Sequence, residues 1–328
     1  MILNRIHRFF HPEIFQGRLD RASYFEGWYF KLVSADAKHA LSVIPGIALS
    51  EKGRRAFIQV LDGGTGDSRF FDFDLRHFQP SLNRFEFRIS TSVFSGNDIA
   101  LNIWEGTHRV QGAIRFEGLQ PFPVTLRSPG IMGWYAYVPF MECYHAVISM
   151  GHRLNGTLEI DRKHYDFTGG QGYIEKDWGR SFPRSWVWLQ SNHFEDPSVS
   201  FMLSIADIPW LSRRFTGFLG YLRVGPRLYR FATYTGASVV SLSQLPGEVH
   251  VMVRDRRFQL EVTATAQKQG TLMAPLYGSM EVPIKESMDG EIELSLSDSK
   301  GRLIYEGKGI RAGMESHGKL KHNRNFLL

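Results

Sequence analysis

Residues 69–89 read RFFDFDLRHFQPSLNRFEFRI, and the spacing of apolar residues in this stretch indicates the type of secondary structure. Two runs inside it, Phe71-Phe73-Leu75 and Phe85-Phe87-Ile89, alternate apolar and polar residues with a period of two. Successive side chains of a β-strand point to opposite faces, so each run predicts a strand with one buried face. The same alternation recurs at Leu158 and Ile160, at Val251 and Val253, and at Phe258, Leu260 and Val262.

Compact turn signals separate these runs. They are residues 62–67, residues 95–98, the Asn155-Gly156 pair, residues 161–163 and residues 298–301. Such spacings suit antiparallel hairpins, and no long amphipathic helix interrupts them. Aromatic residues, which favour pleated and half-buried surfaces, make up 13% of the chain. The sequence therefore predicts an all-β protein, either a sandwich or a closed up-and-down barrel, rather than an α/β fold.

The length of 328 residues corresponds to about two domains at roughly 150 residues per domain. A segment rich in Pro and Gly, from Pro121 to Pro139, separates two series of predicted hairpins of comparable size. We therefore expect the domain boundary near Glu142, with one domain at residues 1–141 and the other at residues 142–328.

Composition excludes several classes of protein. The single cysteine, Cys143, excludes an internal disulfide and a Cys-rich zinc site. No apolar stretch approaches the roughly 20 residues of a spanning helix, and the N-terminus has no uninterrupted apolar core of a secretory signal, so we expect a cytoplasmic protein. The net charge of +6 is dispersed, which is typical of a solvated surface rather than a nucleic-acid groove.

The N-terminal dozen residues predict a short helix with Arg5, His7 and Arg8 beside Ile2, Ile6, Phe9 and Phe10. Such a helix could touch a membrane surface peripherally, although a terminal helix docked on its own protein is the commoner meaning. There is no Walker loop and no His-Glu-x-x-His motif, and the histidines are scattered. We expect neither a metal nor a cofactor.

Two segments combine carboxylates with aromatic residues. The first is FEGWYFK at residues 25–31, where strand alternation places Glu26 on one face with Tyr24, Trp28 and Phe30. The second is GYIEKDWG at residues 172–179, where Tyr173, Glu175 and Asp177 share one face and Lys176 points away. The next predicted strand, WVWLQSNHF at residues 186–194, brings Trp186, Trp188, Gln190, Asn192 and Phe194 to one side. One interpretation is a buried ion network within an aromatic core; the other is an apolar ligand pocket with a few orienting polar groups.

FEGWYFK, together with GYIEKDWGRSFPRSWVWLQSNHFE at residues 172–195, resembles the tocopherol cyclase family. Weaker similarity continues through MGWYAYVPFMECYH at residues 132–145 and ATAQKQGTLMAPLYGSM at residues 264–280. The resemblance implies two lipocalin-like antiparallel β-barrel domains packed together, as in some carotenoid hydratases and pericyclases. Because the chain begins almost directly at the family region, we expect a bacterial-type relative without a plastid transit peptide.

The resemblance also implies a reaction, in which a phenolic oxygen of a prenylated hydroquinone joins the nearest double bond of its tail to close a chromanol ring. No cofactor or redox change is needed. The substrate would be an apolar small molecule with a polar aromatic head. Burial in an aromatic pocket keeps a carboxyl group protonated, so the candidate acids are Asp177, Glu175 and Glu26. The candidate substrate-binding residues are Trp28, Tyr173, Trp178, Trp186, Trp188, Gln190 and Asn192. Two alternatives stay open: hydration or isomerisation of an isoprenoid, and a carrier without catalysis.

Overall fold

The structure of the chain is a computed structural model that describes residues 7–139, 141–210 and 213–320. These residues divide into two compact units. The first comprises the chain up to Asp62, Asp67–Phe182 and Leu272–Pro283; the second comprises Gly63–Gly66, Pro183–Thr271 and the chain from Ile284 onward. Each unit is built on one antiparallel sheet. The prediction of an all-β protein with two antiparallel sheets is confirmed.

The sheet of the first unit contains twelve strands within the described residues. They are β1 (Tyr24–Val33), β2 (Ala40–Ser50), β3 (Gly53–Asp62), β4 (Ser68–Asp74), β5 (Phe78–Pro80), β6 (Glu86–Ile89), β7 (Ser92–Ser95), β8 (Asp98–Glu105), β9 (His108–Glu117), β10 (Cys143–Ile160), β11 (Lys163–Asp166) and β12 (Gln171–Gly179). Their order is β4-β3-β2-β1-β12-β10-β9-β8-β7-β6-β5, and β11 pairs with β10.

One apolar cluster fills the concave side of this sheet. Phe71 on the edge strand β4 and Phe78 on the opposite edge strand β5 both belong to it. Trp28 and Phe30 on the central strand β1 belong to the same cluster. The two edges can contribute to one core only if the sheet curls around it, which is how an antiparallel sheet approaches a barrel.

The other sheet contains ten strands within the described residues. They are β13 (Trp186–Ser191), β14 (Ser200–Trp210), β15 (Arg213–Val224), β16 (Arg227–Ala232), β17 (Ser238–Leu245), β18 (Glu248–Arg254), β19 (Phe258–Thr265), β20 (Gly270–Leu276), β21 (Ser279–Asp298) and β22 (Leu303–His317). Their order is β16-β15-β14-β13-β22-β21-β19-β18-β17, and β20 pairs with β21.

The second unit has its own apolar core, which includes Val187 and Leu189 of β13. Tyr229 of the edge strand β16 meets Phe258 of β19 edge to face, with 5.1 Å between ring centroids. The strand order places β16 six positions from β19, so this contact requires the second sheet to curl as well.

The first unit continues past the boundary that we predicted near Glu142 as far as Phe182, and Leu272–Pro283 also belongs to it. The reason is strand pairing: β10 pairs with β9, and β12 pairs with β1. The segment from Pro121 to Pro139 thus connects neighbouring strands of one sheet instead of separating two domains. Within it, Gly130–Tyr137 forms 3-10 helical turns.

The Asn155-Gly156 pair does not form the hairpin turn that we predicted but lies inside β10. Gly156 has a φ of 137°, and a Cβ there would lie 2.2 Å from the carbonyl oxygen of Ala113 on β9. A close approach of two backbones therefore explains this glycine. The hairpin turn falls five residues later, where Ile160 pairs with Lys163.

Helical structure is scarce in the described chain. Residues 7–10 are helical, and 3-10 turns also occur at Leu75–His77 and Thr233–Thr235. Ile2, Arg5 and Ile6, which we assigned to the N-terminal helix, lie outside the described residues. Among the residues that are described, no helix is both long and apolar enough to traverse a lipid bilayer.

Candidate active site

The two motif segments lie side by side in the first sheet. β1 and β12 are antiparallel, and their register pairs Gly27 with Asp177, Trp28 with Lys176 and Tyr29 with Glu175. Alternation then divides the motif residues between two faces of the sheet. Glu26, Trp28, Lys176 and Trp178 are on the face of the apolar core, whereas Tyr173, Glu175 and Asp177 are on the opposite face.

A buried ion pair dominates the core face. The Lys176 ammonium lies 2.5 Å from a Glu26 carboxylate oxygen, and neither side chain has exposed surface. Lys176 also lies over the indole of Trp28, 4.6 Å from the ring centroid. Burial lowers the pKa of the Lys176 ammonium, and the negative charge of Glu26 opposes that shift.

This ion pair anchors the segment before β1. Lys176 Nζ donates to the carbonyl oxygens of Pro12 and Ile14, both at 2.7 Å. Glu26 accepts hydrogen bonds from the backbone N–H groups of Gln16 and Gly17, at 2.8 and 3.0 Å. Glu26 is the acceptor in each of these contacts, as expected of an ionised carboxylate that has a structural role.

Two further contacts complete the anchoring. The indole N–H of Trp28 donates to the carbonyl oxygen of Glu13 at 2.9 Å, and the hydroxyl of Tyr24 donates to Glu26. Both Glu26 and Trp28 are fully buried. The structure thus separates these two predicted site residues from Glu175 and Asp177.

The opposite face carries a histidine between two carboxylates. His145 of β10 pairs in register with Asp177, and its Nδ1 lies 3.0 Å from Asp177 Oδ1. Its Nε2 lies 3.7 Å from Glu175 Oε2. The hydroxyl of Tyr173 donates to that same Glu175 oxygen at 2.7 Å. Three of the predicted residues are therefore brought together, and His145 joins them.

The charges around His145 determine its protonation. Burial alone lowers the pKa of the imidazole, but the neighbouring negative charges of Asp177 and Glu175 raise it to about 9. At neutral pH the ring is therefore an imidazolium whose two N–H groups face carboxylates. The imidazole of His145 therefore keeps its proton at neutral pH although it is buried.

Cys143 belongs to the same neighbourhood. Its Sγ lies 3.6 Å from Asp177 Oδ1. Burial and the charge of Asp177 raise the pKa of the thiol well above its ordinary value. The raised pKa disfavours the thiolate, which is the nucleophilic form of cysteine, so we do not assign Cys143 as a nucleophile.

His145, Glu175 and Asp177 could also serve as metal ligands, since one ligand atom from each lies within 4.8 Å of the others. One nitrogen and two carboxylate oxygens suit several divalent cations. The imidazole would have to lose a proton to bind one, and the pKa of about 9 opposes that loss.

A cavity of about 480 Å³ lies at the ends of β10 and β12, inside the first unit. His145 lines it, as do the stacked rings of Tyr144 and Trp178, whose centroids are 5.5 Å apart. Arg21 and Arg180 supply positive charge. The remaining wall is mainly apolar and includes Phe9, Pro12, Val124, Met132, Val138 and Met141. Of the predicted site residues, Trp178 is the one that lines this cavity.

In the second unit, Trp186, Trp188 and Gln190 share one buried face of β13, with Val187 and Leu189 turned to the core behind them. The indole N–H of Trp186 donates to Glu315 on the neighbouring strand β22 at 2.6 Å.

The expected alternation along β13 ends sooner than we predicted. β13 stops at Ser191, so Asn192 follows the strand instead of continuing it. Phe194 packs in the apolar core with Val187 and Leu189, so it does not share the face of Trp186.

Sequence reasoning did not place His145 in the catalytic group. The residue ends the stretch MGWYAYVPFMECYH, where the family resemblance is weak. Only the register of β10 against β12 sets it opposite Asp177. Arg21 and Arg180 were also missed: Arg21 stands outside the quoted motifs, and Arg180, although it lies within the second motif, follows the predicted strand and was assigned no role.

Known proteins resemble this chain in sequence. The family described as tocopherol cyclase-like matches residues 114–318. A chloroplastic protein of Oryza sativa subsp. japonica described as a probable tocopherol cyclase is 29% identical over 212 residues, which are 60% of this chain and 44% of that protein. The chloroplastic tocopherol cyclase of Zea mays is 28% identical over 207 residues, which are 57% of this chain and 41% of that protein. The chain thus spans less than half the length of these relatives.

Solved structures share the fold at low sequence identity. The crystal structure of CghA with Sch210972 has a TM-score of 0.55 and 9% identity, with 90% of this chain and 89% of that chain covered. A protein of Nitrosomonas europaea described as AttH has a TM-score of 0.53 and 12% identity, with 93% and 95% covered. These neighbours have the lipocalin-like two-barrel fold.

Proposed function

Because the chain belongs to the tocopherol cyclase-like family, we propose that it closes a chromanol ring on a prenylated hydroquinone. In this reaction the phenolic oxygen bonds to the more substituted carbon of the nearest prenyl double bond. A proton adds to the other alkene carbon, and the phenol loses its own proton. The product has the mass of the substrate, so no oxidant, reductant or co-substrate is consumed.

The observation that carries the proposal is the position of His145 between Asp177 and Glu175, at the wall of an aromatic cavity. We propose that this group of three side chains supplies the proton that adds to the alkene. After delivery, neutral His145 is a base whose pKa of about 9 is close to that of a phenol. It can therefore take up the phenolic proton, which restores the starting state.

The aromatic wall would assist at the alkene. Positive charge develops on the substituted carbon as the proton is transferred. The π-faces of Tyr144 and Trp178 would each stabilise such charge by roughly 0.5 to 2 kcal/mol. Attack of the phenol together with proton transfer keeps this charge small, and holding the two ends of the substrate in place removes several further kcal/mol of the barrier.

Asp177 remains the carboxylate that we propose as most important for turnover. Its oxygen is 3.0 Å from His145, whereas the Glu175 oxygen is 3.7 Å away and is also engaged by Tyr173. In the second unit, we propose Trp186, Trp188 and Gln190 as substrate contacts, because an amide beside two indoles can pair with an oxygen while the apolar part is buried. Asn192, which is 97% buried beyond the end of β13, is proposed for the same role.

The test is incubation of the purified protein with a prenylated hydroquinone, followed by mass spectrometry and ultraviolet spectroscopy. A product of unchanged mass with a shifted spectrum supports cyclisation. A gain of one water would instead identify a hydratase. Recovery of unchanged but tightly bound hydroquinone would identify a carrier.

A further inference from the structure

Exposed apolar side chains are concentrated around the mouth of the 480 Å³ cavity. Four large ones belong to the connection between β9 and β10: Val124 is 38% exposed, Leu126 77%, Trp134 46% and Tyr137 49%. Val124 and Tyr137 also line the cavity itself. Apolar patches of this kind on a protein surface mark places where something binds.

A second segment adds to the same mouth. Tyr277, in the turn between β20 and β21, is 57% exposed, and its ring lies 5.9 Å from the guanidinium of Arg180. Arg180 lines the cavity, as does Tyr24, whose backbone nitrogen is adjacent to the turn at Gly278. The rim surface, as we define it, consists of Val124, Leu126, Arg127, Trp134, Tyr137 and Tyr277.

The connection between β9 and β10 carries charge of one sign. Between Gln120 and Met141 the sequence contains one cation, the exposed Arg127, and no acidic residue. Arg21 and Arg180 line the cavity below. Trp and Tyr are favoured where an apolar phase meets water, and a basic residue beside them is attracted to anionic headgroups.

We propose that the rim surface docks on a lipid bilayer that contains anionic lipids, and that the cavity takes its substrate directly from that bilayer. The inference rests on the proposed function, because a hydroquinone with an isoprenoid tail dissolves in lipid rather than in water. Leu126, Trp134 and Tyr137 insert into the interface, and Arg127 contacts lipid phosphates. The cavity mouth then faces the phase in which the substrate is dissolved.

Sedimentation with vesicles of phosphatidylcholine and phosphatidylglycerol, without substrate, tests the docking surface. The double variant Leu126→Glu, Trp134→Glu should bind these vesicles at least about tenfold more weakly than the wild type, because each substitution replaces inserted apolar area by a charge. Arg127→Gln should weaken binding to these vesicles and leave binding to pure phosphatidylcholine unchanged. Leu82→Glu is the matched control, since Leu82 is 49% exposed but lies outside the rim surface.

Several results would overturn the proposal: absence of vesicle binding by the wild type, an equal loss in the Leu82→Glu control, or a dimer in light scattering that the double variant dissociates. Turnover of a short-tailed, water-soluble hydroquinone should be the same in wild type and double variant, because neither Leu126 nor Trp134 lines the cavity. A protein that binds vesicles through this surface and leaves hydroquinone unchanged would refute the proposed function and not the docking surface.

Discussion

Lys176 and Glu26 form a fully buried ion pair, 2.5 Å apart, on the face of the sheet opposite to Asp177. The EKD triplet of the second motif therefore serves two purposes. Lys176, together with Glu26, anchors residues 12–17. Pro12 and Gln16 of this segment line the cavity. The two carboxylates of the triplet, Glu175 and Asp177, lie beside His145. One face of this strand thus anchors a segment that contributes to the cavity wall, and the other face positions His145, which also lines the cavity.

Lys176→Met should destabilise the fold by about 3 to 5 kcal/mol, since it leaves the Glu26 carboxylate buried without its counter-charge. The double variant Glu26→Gln, Lys176→Met should recover part of this loss, because no unpaired charge remains. Chemical denaturation of the wild type, the two single variants Lys176→Met and Glu26→Gln, and the double variant measures both effects. Additive losses in the double variant would show that the two side chains do not act as a pair.

Asp177→Asn should lower turnover by about 10²-fold or more while the protein still folds, because the amide no longer holds His145 in its charged form. Glu175→Gln should have a smaller effect, since Glu175 is farther from the imidazole. The readouts are kcat and the melting temperature of each variant. Equal and small losses of kcat with lower melting temperatures would assign both carboxylates to a structural ion network.

His145 should make stability fall at alkaline pH. Its pKa is about 9 in the folded chain against about 6.5 for an ordinary histidine, so the folded state binds the proton more tightly. The resulting stabilisation is fully present below about pH 6.5 and is lost as pH rises through about 9, a difference of about 3 kcal/mol. Denaturation of wild type and His145→Gln across this range measures it, and parallel curves would contradict the prediction.

His152 should make the stability of the fold decrease at acid pH. Burial lowers its pKa to about 3, and its Nδ1 lies 3.0 Å from Ser149 Oγ. As pH falls below about 6.5, the unfolded chain binds a proton at His152 that the folded chain does not bind. The free energy of unfolding is therefore retained above about pH 6.5 and declines as pH falls toward 3. His152→Gln should show a flatter decline over the same range in thermal unfolding. An unchanged slope would mean that other groups cause the acid sensitivity.

Gln190→Leu should weaken binding of a prenylated hydroquinone more than binding of an isoprenoid hydrocarbon with the same tail, by about 1 to 3 kcal/mol if the amide pairs with a buried oxygen. Titration of both ligands against wild type and variant measures the difference. An equal loss of affinity for both ligands would show that Gln190 only supports the fold.

Much of the fold could be predicted from alternation alone, because a strand with one buried face leaves a period of two in the sequence. Phe71, Phe87 and Ile89 are buried as that period requires. The domain boundary could not be predicted in this way. Pro121 to Pro139 has the composition of a linker, and only the pairing of β10 with β9 shows that the chain returns to the same sheet.

The strands, the family and the face shared by Tyr173, Glu175 and Asp177 could be predicted from the sequence, since all three depend on local spacing or on the motif letters. The partners of those groups could not be predicted, because they depend on how the strands pair. Glu26 meets Lys176, and Asp177 meets His145, through registers between strands that are distant along the chain. A register is set by the packing of whole sheets, and one residue of slip would exchange every inward side chain for an outward one.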